Sequence, residues 1–195
     1  MDPWTWGTPL WTLLHSAAAA APSRRHDSIG KLIVSFGGAL PCCKCRSSVR
    51  MLWKSQQGIA LQDDFERVWM LHNAVNRKLG KPELPFDNAQ RIWSTRCAAP
   101  TDLLTALLCT ACHYRKCTRS DKQVCYEAMW RHTAELCRVV PSLAPLAKPL
   151  SNAASRGTDQ LAEHTNNLRN EYLRRDGIPT TTLREARMSF RKRAR

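Results

Sequence analysis

Almost every periodic stretch of this chain repeats its apolar residues at three- and four-residue spacing, and none alternates like a half-buried strand. Such a chain folds as packed helices. Thr8 and Pro9 predict a helix start, by capping and by proline's fit to a first turn, after which Trp11, Leu14, His15 and Ala18 share one face. A second helix is predicted from about Asp27 to Ala39, ending near Gly37 and Gly38. Pro41 suits the first turn of a third, which carries Cys42, Cys43 and Cys45 at its N-terminus and continues through Val49, Leu52 and Trp53 to Gln57 and Gly58. Asp63 or Asp64 caps a fourth, with the stripe Phe65, Val68, Trp69, His72, Val75, Asn76 and Leu79, and Gly80 and Pro82 stop it. A short turn around Ala89 to Trp93 completes an all-helical unit over residues 1–96.

Beyond Cys97 the reading is an apolar helix from Thr101 to His113, a basic loop, and a helical stretch from Asp121 to Val140 capped by Ser120. Pro141, Pro145 and Pro149 then break the chain, and SNAASRGTD has the composition of a linker. A polar helix over about Gln160 to Arg175 and a basic tail follow. Residues 97–150 thus read as a helical, cysteine-rich appendage and residues 151–195 as a polar helix with a frayed tail. No internal repeat is evident.

At 195 residues the chain can bury a core without staples, yet it holds nine cysteines: Cys42, Cys43, Cys45, Cys97, Cys109, Cys112, Cys117, Cys125 and Cys137. An odd number in local clusters favours redox or metal chemistry over a paired disulfide framework. No apolar run approaches the ~20 residues of a membrane span, and the opening MDPWTWGTPLW lacks the charged and apolar regions of a secretory signal. The expectation is therefore a soluble protein without a leader. The net charge of +14 invites a polyanion partner. Because residues 1–96 hold 13 basic and 7 acidic side chains and the remainder 17 and 9, only the terminal RMSFRKRAR concentrates that charge, as a weak polyanion contact.

Cys42 and Cys45 form a C-x-x-C at a predicted helix start, where the helix N-terminus stabilises a thiolate. Thioredoxin-like proteins set this motif after a strand, and no strand is predicted here. An all-helical dithiol needs a different electron acceptor, of which a flavin is the usual one. Trp11 with His15, and His72 with Asn76, stand four apart on their helices, so each pair projects from one face and offers flat surfaces with hydrogen-bonding edges.

WGTPLWTLLHSAA (Trp6 to Ala18), LPCCKC (Leu40 to Cys45) and HNAVNRKLGKP (His72 to Pro82), in this order and spacing, resemble the Erv/ALR family of FAD-dependent sulfhydryl oxidases. The resemblance covers residues 4 to 96. It implies a four-helix bundle with a short fifth helix, a homodimer, and FAD held by Gly7, Trp11, His15, His72, Asn73, Val75, Asn76, Leu79, Lys81 and Trp93. It implies catalysis by Cys45 as the flavin-side sulfur and Cys42 as the outer one, carrying electrons from reduced protein dithiols to dioxygen with release of hydrogen peroxide. Leu40 departs from the family's aromatic residue before Pro-Cys, so that one flavin-side contact is either lost or replaced by Phe36. Cys43 stands where a polar residue is usual, and the first cysteine of the family's disulfide at the fifth helix is missing.

In the second half, Cys109 and Cys112 fit three readings: a redox shuttle feeding the inner pair, structural disulfides, or zinc held by Cys112, Cys117 and His132. The literal C-x-x-C-H is also a c-type haem signature. A basic, cysteine-rich module holding zinc, a polyanion or a partner protein is the non-catalytic alternative. Cytosolic thiols are kept reduced. An untargeted oxidase therefore fits a member encoded by a large DNA virus, acting on virion proteins in the host cytoplasm, or else a mitochondrial intermembrane-space enzyme.

Overall fold

A computed structural model describes residues 3–20, 27–56, 63–96, 98–113, 120–155 and 158–192. Among them the chain is all-α, with ten α-helices, one 3-10 helix and no strand. The helices are α1 (Pro3–Ala20), α2 (Asp27–Ala39), α3 (Cys43–Ser55), α4 (Asp64–Lys78), α5 (Phe86–Thr95), α6 (Pro100–His113), α7 (Ser120–Cys137), α8 (Ala147–Ala154), α9 (Thr158–Arg175) and α10 (Leu183–Lys192). None is long and apolar enough to cross a membrane.

The first five form the expected bundle: α1 packs on α4, α2 on α3, and α3 on α4, while α5 lies against α1 and α4. Cap chemistry fixes the ends. Asp63 accepts from the Glu66 N–H at 2.8 Å to open α4, and Gly80, at φ +66°, turns the chain out of it. One start differs from the reading. α1 begins at Pro3 and carries Pro9 inside it, because Trp6 and Leu10 are buried and hold the earlier turn in the core. α5 is the short fifth helix that the resemblance implies, longer than the turn read around Ala89 to Trp93, and those two residues, one helical turn apart, both face the interior.

The second half departs further. The prolines do not simply break the chain: Pro141 and Pro145 lie in a 3-10 helix (Pro141–Leu146), and Pro149 occupies the first turn of α8, where a missing N–H costs little. The linker-like stretch ends that helix at Ala154, with Leu150, Ala153 and Ala154 buried. Part of the basic tail forms α10, anchored by Ala186 and Phe190. The core does not stop at residue 96. α6 packs along α1 and α7 along α2, and one buried cluster runs from Trp6 to Phe190.

Candidate active site

Cys42 and Cys45 form a disulfide with Cα atoms 5.1 Å apart. Cys42 caps α3, and its Sγ accepts from the Cys45 N–H at 3.2 Å. Both residues are half-buried, whereas Cys43, the first residue of the helix, is exposed and outside any disulfide. The α2–α3 turn is held from the helix that follows it. Arg46 donates to the Leu40 carbonyl, and Arg50 Nη2 to the Gly37 carbonyl at 2.7 Å. These carbonyls at the end of α2 would otherwise lack partners. Neither arginine was singled out from sequence; basic residues four apart after a helix stop were the available signal. Leu40 and Phe36 are both buried beside this turn.

The second cluster joins α1, α4 and α5. Trp11 stacks on His72 with ring centroids 4.2 Å apart and planes within 5°. His15 stacks on Trp93 at 3.8 Å and meets Phe65 edge-on at 5.4 Å. A hydrogen bond of 3.1 Å joins His15 Nε2 and His72 Nδ1. Burial and the neighbouring His72 hold the His15 pKa well below its usual value, and burial, helped by the Lys81 charge, lowers that of His72 to about 4. Two neutral imidazoles carry one N–H each, and one of these donates across the bond between them. The His15 Nδ1 and Trp93 Nε1 atoms are buried and have no hydrogen-bond partner among the described residues. Buried polar atoms are rarely left so, and a bound molecule with flat surfaces and polar edges would satisfy them.

Four predicted residues, Trp11, His15, His72 and Trp93, therefore meet in one cluster. Asn73 does something else: its Nδ2 donates to the Leu84 carbonyl at 2.9 Å and its Oδ1 accepts from the Leu84 N–H at 3.0 Å, clamping the loop after α4. Trp69 Nε1 donates to the same carbonyl at 2.7 Å. Val75 and Asn76 are half-buried on α4, Leu79 and Lys81 are exposed at its C-terminal end, and the space beside Gly7 is open. Trp69 and Phe86, in edge contact at 5.2 Å, extend the aromatic surface beyond the residues selected from sequence.

Cys109 is fully buried in the middle of α6 and Cys112 half-buried one turn later, both outside any disulfide. Burial raises the Cys112 thiol pKa despite Arg187 beside it, and that of Cys137 rises to about 12. A relay dithiol has to attack the Cys42–Cys45 disulfide as a thiolate, so this setting favours a packing role for the pair. Cys97 and Cys117 lie outside the described residues, as does the end of the basic tail; among the described residues no group of three or more acidic, histidine or cysteine side chains could hold a metal.

Residues 8–94 match the Erv1 / Alr family model, which bears out the resemblance carried by the three motifs. The chain is similar to the FAD-linked sulfhydryl oxidase ERV1 of Arabidopsis thaliana, at 29% identity over 94 residues, covering 45% of this chain and 49% of the relative. It is also similar to the mitochondrial FAD-linked sulfhydryl oxidase erv1 of Schizosaccharomyces pombe, at 29% over 105 residues, or 49% and 55%. The putative FAD-linked sulfhydryl oxidase 347L of Invertebrate iridescent virus 6 is 27% identical over 106 residues, covering 48% of this chain and 96% of that protein. The chain thus spans about half the length of the plant and yeast relatives. No solved structure matches it.

Proposed function

We propose that this chain, of Erv1/Alr type over residues 8–94, is an FAD-dependent sulfhydryl oxidase that converts protein dithiols to disulfides and reduces dioxygen to hydrogen peroxide. The observation that carries the reading is the Cys42–Cys45 disulfide on a helix N-terminus, in the same bundle as an aromatic cluster with two orphaned polar atoms.

A substrate thiolate attacks Cys42 Sγ and Cys45 leaves as the thiolate. The second substrate thiolate then attacks the mixed disulfide, releasing the substrate disulfide and the Cys42 thiolate. Each released charge sits at the N-terminus of α3, and the Cys45 N–H already points at Cys42 Sγ, so the leaving sulfurs are stabilised. Trp11, His15, His72 and Trp93 would hold FAD between stacked rings and neutral imidazoles, and Gly7, Asn76 and Lys81 would border it. FAD, when bound, supplies the two-electron acceptor that returns the dithiol to the disulfide and passes the electrons to dioxygen.

The similarity to the iridescent-virus protein over nearly its whole length supports virion proteins in a host cytoplasm as the setting, ahead of the mitochondrial one that the yeast relative's name suggests. The test is oxygen uptake by the purified full chain given a reduced protein dithiol. One hydrogen peroxide per disulfide is expected. A flavin-loaded protein that consumes no oxygen with any dithiol would overturn the proposal.

A further inference from the structure

The contacts of the second half repeat those of the first, helix for helix. As α1 packs on α4, α2 on α3, α3 on α4, and α5 on both α1 and α4, so α6 packs on α9, α7 on α8, α8 on α9, and α10 on both α6 and α9. A shared topology of helices alone is weak, but the loop after the fourth helix repeats in atomic detail. Asn170 Nδ2 donates to the Thr181 carbonyl at 2.8 Å and its Oδ1 accepts from the Thr181 N–H at 3.2 Å, spanning eleven residues, as Asn73 and Leu84 do. A second donor reaches the same carbonyl in each copy, Trp69 in the first and Asn166 in the second. Gly177, at φ +68°, answers Gly80 at +66°, and Pro179 answers Pro82. Every one of these pairs, with Ala89 and Ala186, keeps one constant separation along the chain.

We infer that residues 98–192 are a degenerate second copy of the bundle, which has lost the redox groups and serves as a built-in dimer partner, so that the chain works as a monomer with one redox centre. The pairing follows from which helices touch. Equivalent helices meet each other, α1 with α6 and α2 with α7, which is the self-complementary contact of a two-fold dimer realised inside one chain. It is close: a Cβ on Gly38 of α2 would lie 2.3 Å from Cys125 Sγ and 2.6 Å from its Cβ on α7, so only glycine admits this approach. The homodimer that the family resemblance implies is thereby replaced by an internal pair.

The loss of chemistry is equally local. At the separation that aligns the clamps, Arg169 stands for His72 and Phe190 for Trp93. Where Trp11 stacks on His72, Thr105 Oγ1 accepts from Arg169 Nε at 2.8 Å, and Arg169 Nη1 donates to Thr181 Oγ1 at 3.1 Å, so the guanidinium is tied down by its own copy. The buried run Leu13-Leu14-His15-Ser16-Ala17 becomes Leu107-Leu108-Cys109-Thr110-Ala111, placing Cys109 at the His15 position. Around the start of α8, Pro145 and Lys148 match Pro41 and Lys44, but Leu146, the cap residue, and Pro149 stand where Cys42 and Cys45 form the disulfide. Cys109 is thus a relic of packing rather than half of a relay.

The assignment of redox groups to the first copy rests on the flavin and dithiol reading above; the pairing does not. The test is sedimentation equilibrium of the full chain over a wide concentration range, with flavin per chain measured by absorbance after release. A species of 22.1 kDa at every concentration with one flavin per chain is expected. A concentration-independent dimer of the full chain would overturn the internal partner, and two flavins per chain would overturn the degeneracy of the second copy. A flavin-free monomer would support the pairing while removing the oxidase reading, whereas a dimer carrying one flavin per chain would do the reverse.

Discussion

Asn73→Ala tests how the loop that carries α5, and with it Trp93, is fixed. The substitution deletes a donor and an acceptor, each paired with Leu84. The two losses differ in cost. The Leu84 carbonyl keeps its bond from Trp69 Nε1, so it stays satisfied, while the half-buried Leu84 N–H is left without its partner. One net hydrogen bond of about 1 kcal/mol and one partly desolvated donor at about 1 to 2 kcal/mol give a destabilisation of about 2 to 3 kcal/mol. For a chain of this size that lowers Tm by about 4 to 12 °C, at about 2 to 4 °C per kcal/mol. Asn170→Ala should cost about the same, since the Thr181 carbonyl likewise keeps its bond from Asn166. Asn73→Asp should fall between, keeping the acceptor for the Leu84 N–H while setting a carboxylate beside its carbonyl. Thermal unfolding followed by far-UV circular dichroism is the assay. If either alanine variant melts within about 1 °C of the parent, that clamp does not hold its loop and the reasoning fails.

Cys42→Ser and Cys45→Ser should each abolish dithiol oxidation with flavin still bound, while Cys43→Ser, exposed and unpaired with either sulfur, should keep most of it; equal inactivity of Cys43→Ser would show the pair to be misassigned. The unfolded chain protonates His72 near pH 6.5 and the folded one only near pH 4, so the unfolded state binds more protons between them and stability falls as pH drops through that window, by up to about 3 kcal/mol. Urea titrations at pH 7 and pH 5 should show a loss of stability in the parent and a smaller one in His72→Phe, where His15, also held below its usual pKa by burial, still resists protonation; an equal loss in both would contradict it. Replacing Cys109 and Cys112 together with alanine should lower Tm while changing oxidation of a small dithiol and of a reduced protein in equal proportion; a selective loss with the protein substrate would restore the shuttle reading.

The bundle was legible because its signals are local. Asp63 as a cap, Gly80 as a stop and the face formed by Trp11 and His15 each lie within one or two helical turns, and the family resemblance implied that Trp11, His15, His72 and Trp93 belong together before any contact was known. What was not legible depends on distant partners that no motif names. The start of α1 depends on where Trp6 is buried, and the role of Asn73 on a backbone group eleven residues away. The repeat was hidden for the same reason. What survives of it in the sequence is Asn, Gly, Pro and Ala at turn and clamp positions, whereas the residues proposed above to carry chemistry, Cys42, Cys45, Trp11, His15 and His72, have all been replaced in the second copy. Backbone hydrogen bonds and helix contacts keep the fold after the side chains that advertise it are gone. The prolines of residues 141–149 likewise read as breaks because their tolerance in 3-10 and first-turn positions depends on Leu143, Leu146 and Leu150 being buried.

The central claim, that electrons enter at Cys42–Cys45 and leave through a flavin on the same bundle, is tested most directly by anaerobic titration of the purified chain with a small dithiol while its visible absorption is recorded. The account predicts a yellow protein whose flavin band bleaches on addition of dithiol and returns on admission of air, with no bleaching in Cys45→Ser. A colourless protein, or a flavin band that the dithiol bleaches equally in the parent and in Cys45→Ser, would contradict it.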